Sequence, residues 1–427
     1  MQQQRTHVVI IGGGFAGLYA AQALARQPVQ VTLVDRKNHH TFQPLLYQVA
    51  TAALSPADIA SPIRGILRQY RNVNVLLGEA AGFDLAARRV RLKEGPDLGY
   101  DYLIVAAGAG HAYFGHDEWA PLAPGLKTLE DALEIRRRVL LAYELAERRA
   151  AAGGETEPLN FVIVGAGPTG VELAGALAEI AHQALVRDFR AIDPTQARIV
   201  LLEGGPRVLP SYPENLSRSA EAQLRKLSVE VRTSTLVTAV EPGAVRLGDE
   251  VLPASVALWA AGVKASPLGA MLGVPTDGAG RVFVEPDLSI PGHKEVFVIG
   301  DLAAAKDEKG NFLPGIAPVA VQQGRAVARA VVRDREKKPR QNFVYLNKGS
   351  LATIGRAAAV ADLPGGLRLS GLIAWLAWLF VHIFFLIGFR NRVLVMIQWA
   401  WAYLTFQRGT RLITGSTERS DGSGPAA

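Results

Sequence analysis

The sequence predicts an α/β protein with two parallel-sheet units of one design and a helical C-terminal region. Three observations predict it. An apolar strand, a glycine-rich turn and a helical pattern open the chain and return from residue 161. In both copies the next apolar strand ends in an acidic residue, Asp35 or Glu203. From Leu367 onward the composition turns apolar and aromatic. A length of 427 residues, 49% of them apolar, exceeds one ordinary core and predicts two or three domains.

The first copy begins with a β-branched run from His7 to Ile11, then Gly12, Gly13 and Gly14, then helical periodicity from Ala16 to Gln27. A second run, Val29 to Val34, ends in Asp35 and completes a βαβ unit, which requires a parallel sheet. Gly12, Gly14 and Gly17 have GxGxxG spacing, so bare backbone can approach a pyrophosphate at the positive end of the helix. Asp35 stands where a ribose-binding carboxylate belongs. Glycine-rich turns also occur in structural loops, but here strand, helix and acidic residue agree on a dinucleotide.

Residues 148–158 read as a solvated connection and mark a domain boundary. Beyond it, GAGPTG at 165–170 carries the same mechanics through Gly165, Gly167 and Gly170. Glu203 can bond both ribose hydroxyls and would repel a 2'-phosphate, favouring NADH over NADPH, while nearby Arg207 weakens that preference. Two such folds in one chain suit a bound flavin in one and a transient nicotinamide in the other. The strand VFVIGDLA, 296–303, would set Asp301 beside a polar cofactor chain; the plainer reading is a helix-capping aspartate.

The chain has no cysteine, which fits a reducing compartment and excludes a disulfide relay. The opening MQQQRT runs into a strand without a basic-then-apolar leader, so cytoplasmic synthesis is expected. Scattered histidines lack metal-ligand spacing, and no metal is expected. The net charge of +7 could suit nucleic acid or an anionic membrane. Its placement decides: Arg368, Arg390, Arg392, Arg408 and Arg411 interleave with the apolar runs 371–389 and 393–407, and no acidic residue occurs between Asp362 and Glu418. Nucleic acid would need a polar basic face, so the expected partner is membrane lipid. Trp375, Trp378, Trp399, Trp401 and Tyr403 suit a headgroup interface. Residues 371–389 also match the roughly twenty needed for a single span, and a buried hairpin at a dimer interface is the third option. The small polar tail, 413–427, is expected to be disordered.

The segments VIIGGGFAGL, HTFQPLLYQVATAALSP, AAGAGHAYFGHDEW, FVIVGAGPTGVELAGAL, WAAGV, VFVIGDLA, PVAVQQGRAVA, KGSLATIGRAAAVADL and FFLIGFRNR together resemble the type II NADH dehydrogenases, non-proton-pumping NADH:quinone oxidoreductases of the two-dinucleotide-binding flavoprotein superfamily. The resemblance spans residue 7 to about 407. It implies two Rossmann-like domains arranged as in glutathione reductase, plus a C-terminal membrane-anchoring region. The expected partition is 1–150 with 280–335 for FAD, 151–279 for NADH, and 336–412 for membrane association. By the same resemblance Gly12, Gly14, Gly17, Asp35, Gly108 and Asp301 contact FAD, with Gln48 near the flavin. Gly165, Gly167, Gly170, Glu203 and Gly262 line the NADH site.

Glu172 is implied beside the nicotinamide; otherwise it is a first-turn glutamate suiting the helix dipole. Gln322 and Gln323, in APVAVQQG, are implied as quinone contacts, or else are polar residues opening a helix. Many relatives have Gln where Pro318 stands. The implied activity passes hydride from NADH to the flavin and two electrons on to a membrane quinone. A homodimer anchored monotopically by its C-terminal helices at the cytoplasmic face of a bacterial inner membrane is the implied setting. Sulfide:quinone oxidoreductases share the design but use redox cysteines. The alternative from another class is an FAD- and NADH-binding interaction protein of the apoptosis-inducing-factor kind.

Overall fold

The structure is a computed structural model that describes residues 6–386, 393, 395–397, 399 and 410–414. The expectations for Arg390, Arg392, Trp401, Tyr403, Arg408 and residues 415–427 lie outside the described residues. The chain forms two compact units: Met1–Thr41 with Ala60–Gly110 and Val263–Asn347, and Phe42–Ile59 with His111–Gly262 and Lys348–Ala427.

The first unit is organised by a six-stranded sheet in the order Ser289–Ile290, His293–Val298, Tyr102–Val105, His7–Ile11, Gln30–Asp35, Val73–Leu77. All neighbours are parallel except the edge strand Ser289–Ile290. In the central strand Val8, Val9 and Ile10 are fully buried, as expected of a parallel sheet covered on both faces. Each such side chain contributes about 1.5–3 kcal/mol. Helix Phe15–Leu24 lies against helix Ala317–Arg335, and the contact passes through Gly324. A methyl group there would stand 2.3 Å from the Ala16 carbonyl oxygen.

The second unit holds a four-stranded parallel sheet, Val229–Arg232, Arg198–Leu202, Asn160–Val164, Val256–Trp259. Helix Leu129–Ala151 begins at a capping box in which the Asp131 N–H donates to Thr128 Oγ1 at 3.1 Å and the Thr128 N–H donates to Asp131 Oδ2 at 2.9 Å. A three-stranded antiparallel sheet, Ser350–Gly355, Ala358–Leu363, Leu367–Ser370, packs on helix Pro168–Glu179. Backbone meets backbone at Gly175, where a methyl group would stand 1.5 Å from the Ile354 oxygen.

Helix Leu372–Phe385 completes the unit. Ala374 and Trp378 face inward, Trp378 being 2% exposed, so Trp378 is a packing residue rather than the interfacial one expected. Fourteen residues of helix reach about 21 Å, and no helix among the described residues is long and apolar enough to cross a membrane. Two arginines expected to face lipid have protein acceptors. Arg368 donates to Asn215 Oδ1 at 3.2 Å, and Arg411 bonds the Ala184 carbonyl and the Asp188 carboxylate.

Candidate active site

The turn after His7–Ile11 is built by exclusion of side chains. Gly12 has φ +103°, open to glycine, and a methyl group on it would stand 2.3 Å from the Ala106 carbonyl oxygen. One on Gly17 would stand 1.8 Å from the Gly12 oxygen, whereas Gly14 and Gly108 face open space. Asp35 braces the turn: Oδ2 accepts from the Gly13 N–H at 2.5 Å and Oδ1 from the Lys37 N–H at 2.7 Å. A carboxylate oxygen accepts more than one bond, so ribose hydroxyls can still be received.

His40 completes the brace, its Nδ1 lying 3.0 Å from the Gly13 carbonyl, which can only accept. Burial above all holds His40 below its usual pKa. Its Nε2 is buried with no hydrogen-bond partner among the described residues. In the same unit the strand His293–Val298 leads to Gly300 and Asp301, and Gln323 Oε1 accepts the Gly300 N–H at 2.7 Å. Gln323 Nε2 is likewise buried and unpartnered among the described residues. An open cradle at Gly14 and Gly108, a carboxylate at the strand end and buried unsatisfied polar nitrogens suit FAD, a large ligand rich in polar atoms. Gln322 is placed otherwise: Nε2 donates to the Leu346 carbonyl and Oε1 accepts the Leu346 N–H, both at 3.0 Å, so its amide clamps backbone.

The second unit repeats the turn. Gly165 has φ +97°, and a methyl group on Gly170 would stand 1.8 Å from the Gly165 oxygen, while Gly167 faces open space. Glu203 does what Asp35 does, accepting the Ala166 N–H at 2.7 Å and the Gly205 N–H at 2.8 Å. Arg207 donates to the Pro210 carbonyl at 2.8 Å. Gly262, at φ +88°, follows the strand Val256–Trp259.

Glu172 and Gln48 come together in this unit, lining one cavity of about 110 Å³ with Tyr47, Thr353, Trp378 and Trp399. Burial pushes the Glu172 carboxyl up to about 8, against the smaller opposing effect of the Thr353 backbone N–H that bonds it. Gln48 Nε2 donates to Tyr47 Oη at 2.8 Å and Gln48 Oε1 accepts from Trp399 Nε1 at 2.6 Å. Trp378 packs at 5.6 Å from Trp399 and stacks at 4.4 Å on His382. Burial pushes His382 down to about 4, so it is neutral at physiological pH.

Residues 6–324 match the pyridine nucleotide-disulphide oxidoreductase family, and residues 347–408 match the NDH2 C-terminal domain. The chain is 46% identical to the type II NADH:quinone oxidoreductase NdhA of Mycobacterium tuberculosis, covering 96% of this chain and 90% of that protein. It is 45% identical to Ndh of the same organism, over 96% and 91%. The chain belongs to the type II NADH dehydrogenases. Its fold is similar to the structure of NDH2 from Plasmodium falciparum in complex with NADH, with a TM-score of 0.85, 20% identity, and coverage of 96% and 100%.

In this type II NADH dehydrogenase several site-forming residues escape a reading of the sequence. His40, Tyr47 and Trp399 carry no spacing signal. Gly175 and Gly324 carry one, since a glycine inside a helical run marks close approach.

Proposed function

We propose that this chain performs FAD-dependent NADH:quinone oxidoreduction without proton pumping, the unit carrying Gly12 holding the flavin and the unit carrying Gly165 receiving NADH. The observation that carries the reading is the duplicated turn, each copy with the same 1.8 Å approach, the same open middle glycine and the same carboxylate brace. When bound, FAD supplies the two-electron carrier between NADH and quinone. The chain's own groups bind and orient. Gly14 and Gly167 leave room for the two pyrophosphates, and Asp35 and Glu203 accept from ribose. Glu172, its carboxyl pushed up to about 8 by burial, holds a proton at neutral pH. Gly108 and Asp301 belong to the flavin side and Gly262 to the nicotinamide side. Gln323 orients Gly300 and Gln322 holds Leu346, and the remaining amide N–H groups of both are the donors offered to a quinone carbonyl. The compact units divide the chain differently from the expected partition of 1–150 with 280–335 and 151–279: residues 42–59 and 111–150 fall in the unit carrying Gly165, and 263–279 in the unit carrying Gly12.

The C-terminal region supports a monotopic seat on the membrane from which quinone arrives. Leu372, Ile373, Leu376, Phe380 and Phe384 form an exposed apolar stripe along helix Leu372–Phe385, with neutral His382 turned inward. The cytoplasmic face of a bacterial inner membrane is the setting we assign, and the homodimer rests on family resemblance. Identity to enzymes named for quinone oxidoreduction turns the choice away from an interaction protein of the apoptosis-inducing-factor kind. An anaerobic titration tests the reading: NADH should bleach the flavin and a soluble ubiquinone analogue should restore it within turnover time. Bleaching without restoration removes the acceptor assignment, and a preparation without flavin removes the whole reading.

A further inference from the structure

We propose that Phe114 is a binding residue for the nicotinamide half of the dinucleotide, an inference that rests on the NADH assignment of the second unit. Phe114 combines two features that a bulky apolar residue rarely shows together: a left-handed backbone, φ +54°, and 70% exposure. Its loop is held there. The Trp259 indole N–H donates to the Ala112 carbonyl at 2.8 Å, and the Tyr113 hydroxyl donates to the Ala123 carbonyl at 2.8 Å, with the Tyr113 ring stacked on Trp259 at 5.2 Å. The Phe114 ring rests over Gly262, where a methyl group would stand 2.6 Å from its Cζ.

The sheet order says which part of the ligand arrives there. Strand Asn160–Val164, which feeds the glycine turn, lies between Arg198–Leu202 on one side and Val256–Trp259 on the other. In a parallel sheet the ligand lies beyond the carboxyl ends of the strands. With pyrophosphate on the turn and adenosine ribose at Glu203, the other half of the molecule must cross toward Val256–Trp259. The turn abuts that strand's end directly, since a methyl group on Gly165 would stand 2.7 Å from Ala261 Cα. Next along the chain come Gly262 and the ring above it. An exposed aromatic ring at that point offers a face to the nicotinamide and its ribose.

The test uses full-length, FAD-loaded protein and two ligands, NADH and ADP, which lacks the nicotinamide half. Phe114→Ala is expected to raise the NADH concentration for half-maximal flavin bleaching about tenfold, with ADP competition unchanged and Phe114→Tyr close to wild type. Glu203→Ala serves as the contrast and weakens both ligands. Unchanged NADH binding in Phe114→Ala overturns the proposal, as does equal weakening of NADH and ADP, which would make Phe114 a support of its loop. Failure of NADH to bleach the wild-type flavin overturns instead the functional reading beneath it.

Discussion

Trp399 donates its indole N–H to the side-chain oxygen of Gln48 at 2.6 Å, across 351 positions of sequence. Indole nitrogen only donates, so this bond fixes which way the Gln48 amide faces and commits its nitrogen to Tyr47 Oη. Trp399→Phe keeps an aromatic ring but loses the indole N–H and part of the indole's packing, stranding a buried acceptor on Gln48, with an expected loss of about 1–2 kcal/mol or more, read as a lower thermal midpoint. Adding Gln48→Leu should recover part of that loss. Strict additivity of the two substitutions would mean the bond does not couple them.

Glu172 should make stability depend on pH in a definite direction. Its folded-state pKa of about 8 lies above the ordinary carboxyl value of 4.5, so between these values the folded protein binds more protons than the unfolded chain. Stability contributed by the protonated form is whole at acid pH and declines as pH rises from about 4.5 toward 8, by at most about 5 kcal/mol. Glu172→Gln should therefore melt higher than wild type at pH 8.5, and the gap should close by pH 5. A gap independent of pH would place the carboxyl in a solvated setting.

The two glycine turns allow the ligands to be separated. A methyl group on Gly14 or Gly167 meets nothing in the protein, so Gly14→Ala and Gly167→Ala should both fold. Gly14→Ala intrudes on the proposed flavin cradle and should be purified with less FAD. Gly167→Ala should keep its FAD and need about tenfold more NADH. Gly175→Ala sets a methyl group against the Ile354 backbone and should cost about 3 kcal/mol or more, seen as poor yield and a lowered midpoint. Equal FAD content in the Gly14 and Gly167 variants would reverse or remove the assignment of the two units.

What the sequence made legible was what short-range spacing encodes. Gly12, Gly14 and Gly17 act within one turn, and Asp35 ends the neighbouring strand in the same βαβ unit, so pattern alone could name them. Residues whose role depends on a distant partner were not legible in that way. Trp378 and Trp399 read as interfacial because indole is common at headgroups, yet tertiary packing claims one and Gln48 the other. Gln322 has a structural partner that nothing nearby in sequence announces, the backbone of Leu346. The apolar run at 371–389 had the length of a span, but within the described residues its helix closes at Phe385 and buries one face against its own unit.

Glu203 should govern the choice between NADH and NADPH, and its two bonds make the test demanding. The carboxylate braces the Gly165 turn through Ala166 and Gly205 while standing at the strand end to which the proposed reading assigns the ribose. Glu203→Gln keeps length and one acceptor but removes the charge that repels a 2'-phosphate. NADH use should fall modestly, and the ratio of kcat/KM for NADH over NADPH should drop about tenfold or more. Arg207 is the local cation able to profit, once it leaves the Pro210 carbonyl. Glu203→Gln combined with Arg207→Ala should therefore regain much of the preference for NADH by losing NADPH. A ratio that ignores Glu203 would mean that discrimination lies elsewhere on the adenosine side.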